Sequence, residues 1–296
     1  WGQCLLCSGM LGQLKDWLLG LPRLAALDTY VVPLLSKRGW IESSTILDNL
    51  HSIVYVALFY QVCFLLGKWF VFPVFVHWSH RKDEQKRRKL VHQSSVHFVS
   101  FIQSIVILYV AVECMWSENY RLEYPTALDR IFTSHRDTEV VCIFAVGYFT
   151  WDIYISTFYS TLPFVLHAVV FCIGLKPYIQ YYAPVFLLFE LSNPFLNIRW
   201  FAQRYLPRNN LVLNCLQTLN NITLLVVFFL ARICWGWLQI GKLVYDFYQV
   251  HTDPRFLKLE TLIIVGGNLV LDVLNVVWFS TMVSIAIKTI CNKNNK

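Results

Sequence analysis

Six apolar runs, each long enough to cross a bilayer as a helix, fill most of this chain between Leu50 and Cys291. They cover residues 50–77, 93–116, 139–160, 178–201, 213–240 and 259–291. About 20 apolar residues in helical form span the hydrocarbon core, where every backbone polar group must be satisfied within the protein. Runs of this length therefore predict an all-α, polytopic membrane protein. Composition agrees, with 56% hydrophobic and only 15% charged residues among 296, outside the balance of soluble domains. A seventh run, 162–175, begins near Pro163 and stops before Pro177. It is short enough to be a thin span, a re-entrant hairpin or a buried half-helix.

Loop charge favours the thin span. Residues 79–92 carry six basic and two acidic side chains, a net +4, while 117–139 carry three basic and five acidic ones, a net −2. The excess of Lys and Arg marks cytosolic loops. With 162–175 crossing, Arg204, Arg208 and the tail lysines Lys288, Lys293 and Lys296 fall on the same side as the basic loop. The expectation is about seven spans, a lumenal N-terminus and a cytosolic C-terminus. The organisation read this way is an interfacial segment (1–49), a peripheral first span (50–78), a basic cytosolic loop (79–91), a helical domain (92–290) and a cytosolic tail (291–296). The chain opens on Trp1 rather than Met, so its natural start is expected upstream.

The net charge of +7 belongs to these loops rather than to a nucleic-acid surface. The nine cysteines lie scattered, mostly in or beside apolar runs, where cysteine packs as a small hydrophobe. Cys4 and Cys7 form a lone CxxC without the further ligands that a metal site needs. Asn221-Ile222-Thr223 matches a glycosylation sequon but lies inside an apolar run.

Ionisable residues deep in the runs carry the functional signal. A charge near the centre of a spanning helix costs about 2.5–3.5 kcal/mol even on the lenient insertion scale. Asp152, His167, Glu190, Arg232 and Asp272 all stand in this position. Helical spacing aligns them with other polar residues: Gln93, His97, Ser100 and Ser104; Tyr148, Asp152, Ser156 and Tyr159; Glu190, Asn193 and Asn197, with Pro194 placed to kink the helix; Asn214, Asn221, Arg232 and Gln239; and Asn268, Asp272 and Asn275. Isolated polar residues serve as interhelical glue, but five stripes predict a ring of helices with polar faces around a shared cavity. The first span, with only Gln61 and Lys68 mid-run, is expected outside that ring. Arg232, charged in any protein setting, is expected to pair with Asp152, Glu190 or Asp272, or to hold an anionic ligand group.

At these residues the chain resembles the TLC-domain family, which includes the TRAM proteins, the Lag-type ceramide synthases and a neuronal-lipofuscinosis cargo receptor, and most of all its fungal members. Three segments carry the resemblance: Gly147-Tyr148-Phe149-Thr150-Trp151-Asp152, Phe164-Val165-Leu166-His167, and Phe189-Glu190-Leu191-Ser192-Asn193-Pro194-Phe195-Leu196. It implies a six-helix bundle around a lipid-sized cavity in the endoplasmic reticulum or another endomembrane, with the first span as an additional helix. The cavity would be lined by Tyr148, Asp152, His167, Glu190, Asn193, Asn221, Arg232 and Asp272, with a membrane lipid as the partner and a role in lipid homeostasis. Two departures set the chain apart from ceramide synthases. His167 is followed by Ala168 where those enzymes have adjacent histidines, and Phe189-Glu190 replaces a His-Asp pair. An acyltransferase using acyl-coenzyme A, with His167 or Asp152 as general base, is the alternative reading, and an endomembrane trafficking receptor is another. Lipid binding itself implies no cofactor.

Overall fold

The computed structural model describes residues 9–37, 47–79, 83–159, 178–207 and 210–294. Among these, every regular element is a helix. Two short elements come first, α1 (Met10–Leu19) and, after a π turn at Leu27–Val31, α2 (Val32–Lys37). Helix α3 runs from Leu50–Leu66 through a π turn, Gly67–Val71, into Phe72–Ser79. It is followed by α4 (Glu84–Trp116), α5 (Glu118–Leu122), α6 (Ala127–Phe132) and α7 (Arg136–Tyr159). The second half holds α8 (Tyr182–Leu187), a 3₁₀ turn (Leu188–Ser192), α9 (Asn193–Tyr205), α10 (Leu211–Phe228), a π turn (Phe229–Cys234), α11 (Trp235–Val250) and α12 (Lys258–Asn294).

Five helices among the described residues are long and apolar enough to cross a membrane: Leu50–Val76, Glu84–Trp116, Arg136–Ile155, Leu211–Val250 and Lys258–Lys288. The protein is an integral membrane protein. The expected run 178–201 is instead a broken element, α8 and α9 joined by the 3₁₀ turn. The expected run 162–175 lies outside the described residues. The basic stretch 79–91, read from sequence as a loop, is helix from Glu84 onward. Asp83 sets that start by accepting from the Lys86 N–H at 3.1 Å, and Glu84 then pairs with Arg88 one turn on at 2.6 Å.

Side-chain caps define the connections. Ser117 closes α4 and accepts from the Tyr120 N–H to open α5. Thr126 and Asp129 form a reciprocal capping box on α6. Asn210 accepts from Val212 and Leu213 at the start of α10. Each such cap contributes about 1 kcal/mol and fixes where a helix leaves the bundle.

On the first span Leu58, Val62 and Leu66 line an exposed, lipid-suited face. Its other face is fastened to α7. A Cβ on Gly147 would stand 2.6 Å from Val56 Cβ, so only glycine permits the approach of these two helices. One turn further on, Trp151 Nε1 donates to Gln61 Oε1 at 3.0 Å. Tyr60 is fully buried beside Tyr148, with ring centroids 5.3 Å apart and edge to face. Helix α1 joins this half of the core through Leu18, while Lys15 Nζ reaches Glu113 Oε2 at 2.6 Å.

Candidate functional site

The site grows from the break between α8 and α9. Proline has no N–H, so Pro194 cannot supply the bond an α-helix would give to the Glu190 carbonyl. The chain tightens to 3₁₀ geometry, and the Asn193 N–H turns to Glu190 O instead. Phe189 O is thereby released from its α-helical donor. It accepts from Arg232 Nε at 3.0 Å and from the Ser192 hydroxyl at 3.4 Å.

Arg232 comes from the π turn Phe229–Cys234, whose extra residue widens the helix where this side chain projects. Its Nε also donates to Ser192 Oγ at 2.8 Å, its Nη2 to Asn193 Oδ1 at 2.8 Å, and its Nη1 to Asn275 Oδ1 at 3.4 Å. The Phe228 ring lies 5.2 Å from the guanidinium carbon. The acceptors are a carbonyl, a hydroxyl and two amides, all neutral. Among the described residues no carboxylate oxygen lies within ion-pair distance of Arg232. The sequence offered Asp152, Glu190 and Asp272 as its partners, and none of the three touches it.

Of those acids, Glu190 stands at one remove from the arginine. Glu190 accepts from Asn193 Nδ2 at 2.5 Å, so Asn193 bridges it to Arg232. Asp152 and Tyr148 on α7 lie within electrostatic reach of Glu190, and Glu190 within reach of Arg232. On α12, Asp272 is 2% exposed, and its Oδ2 has no hydrogen-bond partner among the described residues. Its Oδ1 would stand 2.9 Å from a Cβ on Gly236, so glycine there lets α11 settle against the acid. Asn275, one turn along α12, supplies the contact to Arg232.

The predicted set thus divides. Tyr148, Asp152, Glu190, Asn193 and Arg232 come together, with Asp272 on the adjoining turn of α12. Asn221 does not join them. Its Oδ1 accepts from Arg199 Nη1 at 3.3 Å, in a separate contact between α9 and α10. His167 lies outside the described residues.

Sequence reading missed two groups. Ser192, fully buried, sits beside the 3₁₀ turn with no polar stripe of its own. Asp246 was missed because the span was ended at residue 240, whereas the helix runs to Val250. The spacing Arg232, Gln239, Asp246 would have found it, each seven residues from the last. Asp246 takes Arg130 in a fork, Nε to Oδ2 at 2.6 Å and Nη2 to Oδ1 at 2.7 Å, and accepts from the Tyr182 hydroxyl at 2.6 Å.

A second polar contact, apart from Arg232, links α4 to α9. His97 Nδ1 and Asn197 Oδ1 are 2.8 Å apart, Asn197 Nδ2 donates to Ser100 Oγ at 3.1 Å, and the His97 ring stacks on Trp200. Polar positions 97 and 100 of the first stripe therefore meet position 197 of the third, as facing stripes should.

Comparison with known proteins bears on the same segments. A TLC-domain family profile matches residues 93–284, which include all of the Arg232 cluster. The chain belongs to the TLC-domain family. It is 54% identical, over 93% of its length and 95% of the relative's, to an uncharacterised TLC-domain protein of Saccharomyces cerevisiae. A second uncharacterised TLC-domain protein, from Schizosaccharomyces pombe, is 30% identical over 87% of this chain and 84% of its own length. Topoisomerase I damage affected protein 4 of Saccharomyces cerevisiae is 28% identical over 83% and 88%. No solved structure matches the chain.

Proposed function

We propose that this TLC-domain protein binds a membrane lipid within its helical bundle, with the headgroup at the Arg232, Glu190 and Asp152 cluster, and that it acts in lipid homeostasis of the endoplasmic reticulum or another endomembrane. One observation carries the reading. Arg232 is fixed at membrane depth by neutral acceptors, so its hydrogen bonds are largely met while its charge is not neutralised by a contacting acid. A guanidinium held this way is preorganised for a phosphate or carboxylate, which it binds as a planar fork. Asp152, Glu190 and the unbonded oxygen of Asp272 offer acceptors around it for the hydroxyl or ammonium part of a headgroup. Tyr60, Tyr148 and Trp151 pack together on the side of these acids.

Native mass spectrometry of the full chain in mild detergent tests this directly. The wild-type protein is expected to carry lipid through purification, and Arg232→Gln to lose it. Protein that folds and purifies with no lipid in either form would overturn the proposal.

A further inference from the structure

We propose a second lipid site, at the membrane surface, that takes a zwitterionic headgroup, a phosphodiester with an ammonium end. The location is a cavity of about 540 Å³ between the turn after α1, the start of α3 and the start of α7. It lies apart from the Arg232 cluster. Arg136 and Asp152 share α7 and are separated by about 24 Å at 1.5 Å per residue.

Three features select the ligand. First, charge: among the described residues the cavity is lined by Arg23 and Arg136 and by Asp48 and Glu139, two cations and two anions, with His51 beside them. Balanced charge of this kind suits a ligand that is itself a dipolar ion, and disfavours a simple anion. Second, depth: Asn49 precedes Leu50–Val76 and Arg136 opens Arg136–Ile155, so the cavity sits where two spans leave the hydrocarbon on the same face. Headgroups occupy that layer. Third, availability: Arg136 donates to Asn49 Oδ1 at 3.2 Å, and the Glu139 Oε2 oxygen stands 3.8 Å away, too far for a hydrogen bond. The Arg136 side chain is 59% exposed, leaving donors of its fork to a ligand. The turn that carries Arg23 is itself fixed, because the Tyr55 hydroxyl donates to Pro22 O at 3.0 Å. Among the described residues Leu19 is the single apolar one in the lining, so acyl chains belong outside the cavity and only the polar end within.

In this arrangement the phosphodiester lies on Arg23 and Arg136 and the ammonium on Asp48 and Glu139. Native mass spectrometry on the full chain can test it, in an Arg232→Gln background so that lipid inside the bundle does not contribute. The probes are phosphatidylethanolamine, phosphatidylglycerol with the same chains, and free glycerophosphoethanolamine. Phosphatidylethanolamine is expected to bind in preference to phosphatidylglycerol. The double substitution Arg23→Gln and Arg136→Gln should weaken it about tenfold, the size of one charge-assisted hydrogen bond. Asp48→Asn with Glu139→Gln should reverse the preference toward phosphatidylglycerol, a gain that misfolding cannot imitate. Binding of glycerophosphoethanolamine as tight as that of the lipid would keep the headgroup chemistry and assign the site to a soluble phosphodiester. Equal binding of both lipids by the wild type and both double variants would overturn the proposal.

Discussion

Two arginines reach into the bundle, Arg130 from the short helix α6 and Arg232 from the π turn, and they are satisfied in opposite ways. Arg130 meets Asp246 in a two-bond fork, with Tyr182 completing the carboxylate. The hydrogen bonds to Asp246 hold the Arg130 guanidinium above its ordinary pKa, so it stays charged. Arg232 has a full set of neutral acceptors, and Asn193 stands between it and Glu190. The Arg130 pair is chemically closed and ties α6 to α11, a structural role. The Arg232 cluster is electrostatically open, and openness at membrane depth is what a ligand site requires.

Four measurements put this contrast to the test. The largest effect is expected at the closed pair. Asp246→Ala leaves Arg130 and Tyr182 without their acceptor and should cost about 3–5 kcal/mol, read as the lowest thermal midpoint in detergent. A matched apolar pair at 130 and 246 should recover much of it, because the desolvation cost of both ions goes as well. Arg232→Gln should cost less, about 1–3 kcal/mol for the bonds lost at Phe189 O and Ser192, while abolishing retained lipid. An equal loss of stability at both arginines, with lipid retained, would erase the distinction.

Smaller effects probe the margins. Asp272→Asn removes a buried charge whose second oxygen is unbonded among the described residues, and should raise the midpoint of lipid-free protein by about 1 kcal/mol equivalent. The same change in lipid-loaded protein should lower lipid retention. The weakest effect concerns the capping box of α6. The Thr126 side chain bonded to Asp129 holds that carboxyl below the usual aspartate range. A depressed folded-state value means the cap's contribution is complete above the unfolded value, about 3.9, and fades as pH falls through the folded one. Protease cleavage near 127–132 should therefore increase only in that acid window, and Thr126→Ala should show the increase already at neutral pH.

Much of this site was legible from spacing. Glu190, Asn193 and Asn197 share a helix face in the sequence, Pro194 marks the break, and the structure places all three on polar partners. The resemblance segments around Asp152 and Glu190 also converge. Two acceptors of Arg232, Asn193 and Asn275, stood in the polar stripes, but Phe189 O was not legible, and the reason is physical. It is a backbone atom placed by tight local geometry, and no side-chain pattern announces it. Asp246 was hidden differently, by ending a helix where hydropathy weakens although its polar stripe continues. Asn221 was misplaced because a uniform 3.6-residue period was carried across a turn that does not keep it.

That turn, Phe229–Cys234, acts as a phase shifter. One extra residue in a helix rotates everything beyond it by about 100° relative to what comes before. Ahead of it Asn221 can therefore face the middle of α9 at Arg199, while Arg232 within it meets the 3₁₀ turn, the start of α9 and α12, and Asp246 beyond it meets α6. A single-residue deletion there would keep the composition and hydropathy of the span almost unchanged. It would nonetheless swing one of the two polar rows out toward the acyl chains of the bilayer.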